Sequence, residues 1–101
     1  QQRALDQRLV ATREAANLME HLMALPWDEL SQNRASKLTL SAETQQRLPK
    51  AELRMDVSQQ DGPPTTKQLV VQIGWQDRSG QRVEPLRLAA WRHRLVGGPS
   101  P

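Results

Sequence analysis

The chain has 101 residues, of which 37% are apolar and 25% are charged, with a formal net charge of +3 and no cysteine. This length provides for one small domain. The lack of cysteine excludes disulfides, a thiol nucleophile and cysteine-ligated zinc or iron–sulfur sites. No apolar run approaches the roughly 20 residues that a membrane-spanning helix requires.

Residues 1–25 contain neither Gly nor Pro and are rich in good helix formers, so they predict one long helix that Pro26 ends. Its apolar residues form two stripes that lie about 110° apart on a helical wheel. The first stripe contains Leu5, Leu9, Thr12, Ala16, Met19 and Met23. The second stripe contains Ala4, Ala11, Ala15, Leu18, Leu22 and Leu25. We expect the first stripe to pack in the core because its side chains have the bulk to fill one. The residues expected to face a partner are then Ala11, Ala15, Leu18 and Leu22.

The length of this helix also predicts a partner. A helix of residues 1–25 extends about 35 Å, which is more than a domain of this size can cover. The first five residues include no Ser, Thr, Asp or Asn that could cap the helix. We therefore expect part of the apolar surface to contact another chain, and the helix to continue upstream of Gln1.

The middle of the chain predicts shorter elements. Residues 27–30 follow Pro26 and predict a turn in which Trp27 and Leu30 fold back onto a sheet. Residues 32–37 are polar and predict a loop. Residues 41–48 predict a short helix, because the Ser41 hydroxyl can accept a hydrogen bond from a free amide of the first turn.

Three later segments alternate apolar and polar residues and predict an antiparallel meander: 51–58, 68–76 and 83–91. Residues 77–80 predict a hairpin turn in which Gly80 suits a positive φ. Pro85 predicts that the third strand lies at an edge or carries a bulge. The predicted fold class is α+β, with a long N-terminal helix packed on a small antiparallel sheet. Residues 1–25 form the exposed helix of this arrangement, residues 26–96 the globular domain, and residues 97–101 a disordered tail.

Candidate catalytic and metal-binding residues are few. His21 is predicted on the polar surface of the helix and His93 after the last strand, and neither has an identifiable partner. The adjacent acids Asp28 and Glu29 are expected to cap a helical turn rather than to act as acid and base. Phosphate-loop, nucleophile-elbow and metalloprotease motifs are absent. We therefore expect no enzyme activity, no metal, no cofactor and no small-molecule substrate.

The charge and the tryptophans leave two further questions. The pI of about 10.2 makes a basic nucleic-acid-binding domain the alternative function. Its basic residues are scattered, however, and the densest group, within residues 87–94, lacks interleaved Phe or Tyr, so no nucleic acid is expected.

Possible surface anchors for a partner are Trp27, Trp75 and Trp91. For Trp75 and Trp91 a place in the core is the favoured interpretation, because other large residues are scarce.

The pattern as a whole resembles a known family. The sequence AANLMEHLMALPW over residues 15–27 resembles the segment that follows the transmembrane stretch in type IV pilin-like proteins. The sequence LVVQIGW over residues 69–75, the glycine turn after it, and residues 83–91 are similar to the C-terminal strands of minor pseudopilins. The I-type minor pseudopilin of type II secretion and its minor type IV pilin relatives are the most similar.

The resemblance implies a structural and assembly subunit. It implies that a segment upstream of Gln1 anchors the protein in the bacterial inner membrane, with the globular domain in the periplasm. The implied partners are other pseudopilin or pilin subunits, which associate by helix packing into a short filament. Replacing Leu18 and Leu22 with Glu is then expected to abolish this association while the sheet still folds.

Overall fold

The structure is a computed structural model that describes residues 2–62 and 64–94. In chain order its elements are α1 (Gln2–Met23), a 3-10 turn (Trp27–Glu29), α2 (Gln32–Ala35), α3 (Ala42–Arg47), β1 (Glu52–Gln60), β2 (Thr66–Gly74) and β3 (Leu86–His93). Helix α1 packs on a three-stranded antiparallel sheet, which confirms the predicted α+β class. The expected tail, residues 97–101, lies outside the described residues.

Helix α1 is the longest element. Its last turn is closed by the Ala24 amide, which donates to the carbonyls of Glu20 and His21 at 3.1 and 3.3 Å, shortly before Pro26. Its 22 residues span about 33 Å, and the whole molecule extends 54 Å along its longest axis. Among the residues described, no helix combines the length and the apolar character needed to cross a membrane.

The sheet is a simple meander in the order β1-β2-β3. Its register places Met55 opposite Val71 and Val71 opposite Leu88, so the apolar residues of all three strands share one face. Helix α1 covers this face. Strand β3 begins directly after Pro85 and is an edge strand, as the proline predicted.

The core lies between α1 and the inner face of the sheet. Its largest fully buried side chains are Trp75, Leu22, Leu30, Leu48, Leu69, Ile73 and Val71. Leu30 belongs to the predicted apolar turn after Pro26, so the prediction that this turn folds back onto the sheet is confirmed.

The predicted polar loop over residues 32–37 is wrong, because α2 forms there. Ser31 Oγ accepts a hydrogen bond from the Arg34 amide at 3.2 Å, and Ala35 is fully buried. A cap and one buried contact therefore suffice for a single helical turn. The prediction for α3 is confirmed, since Ser41 Oγ accepts from the Thr44 amide at 3.2 Å.

The hairpin turn over residues 77–80 forms as predicted. Gly80 has a φ of +86°, and its amide donates to the Asp77 carbonyl at 3.0 Å. The Asp77 carboxylate accepts from the Ser79 hydroxyl and from the amides of Ser79 and Gln81. These hydrogen bonds, chiefly the one from the Ser79 hydroxyl, lower the pKa of the Asp77 carboxyl.

Candidate helix-docking surface

One stripe of α1 is apolar and faces away from the core. Four large apolar side chains are exposed among the described residues, and three of them, Leu5, Leu9 and Met23, lie on this stripe. Leu5 is 66% exposed and Leu9 63% exposed. We call this surface the outer stripe; it consists of Leu5, Leu9, Thr12, Ala16 and Met23. It runs about 27 Å along the helix.

The expected assignment of the two stripes is wrong. The residues predicted to face a partner, namely Ala11, Ala15, Leu18 and Leu22, lie in the domain's own core, and none is more than 9% exposed. The stripe predicted to fill the core is the outer stripe, apart from Met19, which is half-buried at its border. Alanine side chains are short, so they let a helix axis approach a sheet closely, while the leucines of the same stripe fill the remaining space.

The N-terminal half of α1 is oriented by two polar side chains. Arg8 donates to the Glu84 carbonyl at 3.1 Å, and its guanidinium lies 5.7 Å from the centre of the Trp75 ring. On the other flank Gln7 donates to the Arg47 carbonyl at 3.5 Å. Because the two bonds reach opposite flanks of the helix, they restrict its rotation and leave the outer stripe facing solvent.

The middle of α1 is joined to α3 by a buried carboxylate. Glu14 is 9% exposed, and its two oxygens accept from the Ser41 amide at 2.6 Å and from the Ser41 hydroxyl at 3.2 Å. Glu14 thereby satisfies a free amide at the start of α3. Glu14 belongs to neither apolar stripe of α1, and its burial is explained only by the position of Ser41 beside it in the folded chain.

The C-terminal end of α1 is held by two cations from the inner face of the sheet. Arg92 donates to the carbonyls of Met23 and Leu25, and Lys67 donates to those of Trp27 and Leu30 at 2.6 and 2.7 Å. The bonds from Lys67 join β2 to the turn after Pro26, and those from Arg92 satisfy carbonyls at the C-terminal end of α1. Cations are also favoured at that end by the helix dipole.

Lys67 is a buried cation in this arrangement. Its ammonium lies 4.4 Å from the centre of the Trp27 ring. Burial lowers the pKa of Lys67, Asp28 opposes that change, and Arg92 and Arg94 add to it. The sequence did not predict these contacts for Lys67 or for Arg92, which it indicated only as a member of the basic group within residues 87–94. The alternation of the strands could have indicated them. Lys67 is odd-numbered like the buried residues of β2, and Arg92 is even-numbered like the inward residues of β3.

The three tryptophans occupy different environments. Trp75 is 1% exposed, so it is a core residue and its candidacy as a surface anchor is wrong. Trp27 is half-buried under Lys67. Trp91 is 57% exposed on the outer face of the sheet, where Gln68 is its neighbour across the strands, so its favoured place in the core is wrong.

The remaining candidate residues lie apart from one another. His21 and His93 are both exposed, and His93 Nδ1 is 2.9 Å from the Thr66 hydroxyl. The expected cap by Asp28 and Glu29 is wrong, because the 3-10 turn has no side-chain cap and Glu29 instead pairs with Arg34 at 3.0 Å. Within residues 2–62 and 64–94, no group of three or more His, Asp or Glu side chains is placed to hold a metal ion.

No protein-family model, no curated protein sequence and no solved structure matches the chain. The support for the candidate surface is therefore the exposure and arrangement of the outer-stripe residues.

Proposed function

We propose that this chain is the globular domain of a minor pseudopilin or minor type IV pilin, a structural subunit that joins its neighbours by helix packing. The observation that carries the proposal is the outer stripe. An apolar stripe about 27 Å long on an exposed helix face is the surface that a second helix covers.

Different residues of α1 attach the helix to the sheet and form the exposed apolar stripe, and this separation supports the proposal. Ala11, Ala15 and the leucines of the buried stripe provide the attachment to the sheet, and Arg8 and Arg92 fix the orientation of the helix. Leu5 and Leu9 contribute little to that attachment, because more than three-fifths of each is exposed. A subunit built in this way presents the same apolar stripe to a neighbour without reorganising its core.

A subunit of this kind has a defined location and needs no bound ligand. A segment upstream of Gln1 would anchor the protein in the inner membrane, and the domain would lie in the periplasm. The partners would be other pilin-type subunits. No cofactor, metal or small-molecule substrate belongs to this function.

The upstream sequence gives the first test. We expect a prepilin cleavage site followed by an apolar run that leads directly into α1. A polar sequence upstream of Gln1 that lacks such a run would overturn the proposal.

Engineered cysteines give the second test, because the natural chain contains none. The full-length protein carrying Leu9→Cys, expressed in its native host, is expected to crosslink through a short bifunctional thiol–amine reagent to a pilin-type subunit identified by mass spectrometry. Asn17→Cys is the matched control, since Asn17 is exposed on α1 outside the outer stripe. Equal crosslinking at both positions, or a crosslinked partner that is not a pilin-type subunit, would contradict helix packing through the outer stripe.

One observation favours the alternative function. Trp91 is exposed on the outer face of the sheet, and Arg87 is exposed on the same face of β3. An exposed aromatic ring can stack on a base of single-stranded nucleic acid, and a cation about 13 Å away along the same strand face can contact its backbone. Titration with single-stranded and duplex DNA at low and high salt tests this alternative. Binding that weakens with salt and is lost in Trp91→Ala would support it, and no binding at low salt would exclude it.

A further inference from the structure

The second edge of the sheet, formed by β1, borders a groove. The groove has a volume of about 600 Å³. It lies between residues 51–56, at the start of β1, and residues 35–40, which begin at the last residue of α2. It is separate from the outer stripe. The inference drawn from it does not depend on the proposed function.

The backbone of β1 shows which groups face this groove. The Val57 amide donates to Gln32 Oε1 at 2.7 Å, and Gln32 Nε2 donates to the Met55 carbonyl at 2.8 Å. Odd-numbered residues of β1 therefore direct their amides and carbonyls away from β2. The Gln32 side chain occupies the place of a peptide group in an added strand and closes the edge at Val57.

Gln32 leaves the first half of the edge open. By the same alternation, the amide and carbonyl of Leu53 and the amide of Met55 point into the groove. In the part of the chain that the structure describes, none of these three groups has a hydrogen-bond partner. Residues 51–55 span about 16 Å at about 3.3 Å per residue, which is the length of a short strand.

The side chains around the groove indicate what the occupant carries. Leu38, Leu53 and Met55 provide apolar contacts in its lining. Lys37 and Lys50 are exposed and adjoin the lining residues in sequence, and among the described residues neither makes an ion pair. The acid of the lining, Asp56, is already paired with Arg54 at 3.5 Å.

We propose that this groove binds an extended acidic peptide segment of a partner protein, which adds to β1 as a fourth strand. Main-chain hydrogen bonds to Leu53 and Met55 would provide the alignment, as in other cases of strand addition. Alternate apolar side chains of the peptide would contact Leu38 and Leu53. Acidic residues at its ends would face Lys37 and Lys50.

The test uses the synthetic peptide acetyl-Glu-Val-Thr-Val-Glu-Val-amide and the domain labelled with ¹⁵N. We expect peptide-dependent shifts of the Leu53 and Met55 amide signals in NMR spectra. In an extended peptide, alternate amides point to opposite sides of the strand. Two versions of the peptide, each N-methylated at the amides of one side, therefore distinguish strand addition from any other contact. One version is expected to bind about tenfold more weakly or worse, while the other binds like the parent peptide.

Charge reversal completes the experiment. The variant Lys37→Glu with Lys50→Glu is expected to weaken binding of the acidic peptide about fivefold. The matched control is Arg87→Glu, which reverses an exposed charge on β3, at the opposite edge of the sheet. The absence of shifts at Leu53 and Met55 up to about 2 mM peptide, shifts confined to β3, or equal binding of both N-methylated peptides would each overturn the proposal.

Discussion

The assignment of the two stripes of α1 can be tested by one pair of matched substitutions. Leu22 and Leu9 are the same residue type on the same helix, but Leu22 is fully buried and Leu9 is 63% exposed. Replacing each with Ala removes the same three carbon atoms and introduces the same helix former. The two variants therefore differ only in what surrounds the deleted atoms.

The expected difference is large. Three carbon atoms at about 0.8 kcal/mol each correspond to about 2.4 kcal/mol of lost transfer free energy for Leu22→Ala. The cavity left in the core adds to this cost, which places the decrease in the free energy of unfolding at about 3–4 kcal/mol. For Leu9→Ala we expect less than about 1 kcal/mol, because most of the side chain is in water before and after the change.

Urea denaturation followed by circular dichroism at low protein concentration measures both values, because subunit association then makes no contribution. The thermal midpoint of Leu22→Ala should fall by more than about 10 °C for a domain of this size. A Leu9→Ala variant that loses as much stability as Leu22→Ala would refute the structure's assignment of the stripes. It would restore the expectation that the bulkier stripe fills the core.

Three further substitutions test the polar contacts and the turn. Glu14→Gln should lower the free energy of unfolding by about 1–3 kcal/mol in urea denaturation, because one of the two bonds to Ser41 is lost. Lys67→Met should cost a similar amount, because the carbonyls of Trp27 and Leu30 lose a charged donor. Burial lowers the pKa of Lys67 below the ordinary value of 10.5. Between the two values the unfolded chain holds a proton that the folded chain has released. The stability of the unchanged protein relative to Lys67→Met should therefore rise with pH just below 10.5, as measured by urea titrations at several pH values. Gly80→Ala should destabilise the domain by about 1–2 kcal/mol through its positive φ alone, because open space surrounds the added methyl group. Its thermal midpoint measures this loss.

Local patterns predicted most of the fold. Alternation placed Met55, Val71 and Leu88 on one face of the sheet, and their burial depends only on that face being covered. The Ser41 cap and the Gly80 turn were predictable because each is determined within four residues. Helix α2 was missed because the local cap by Ser31 does not suffice alone, and the burial of Ala35 is a contact that no local pattern contains.

The size of the side chains could not predict which stripe of α1 packs in the core. Both stripes are apolar, and packing density is reached equally well by small residues at a close approach or by large residues at a greater distance. A better signal was the continuation of each stripe. Leu25 extends the second stripe to the turn that carries Leu30 into the core, so the helix must approach the sheet on that side.

The outer stripe is exposed because the other stripe of α1 packs on the sheet. Once Ala11 and Ala15 bring α1 close to the sheet, the bulkier side chains of Leu5 and Leu9 have no space in the core and remain in water. The polar contacts of Arg8, Glu14 and Arg92 keep the helix from rotating to bury them. Burial of Leu5 and Leu9 then requires a surface from another molecule, and substitutions there should change association while leaving the stability of the domain almost unaltered.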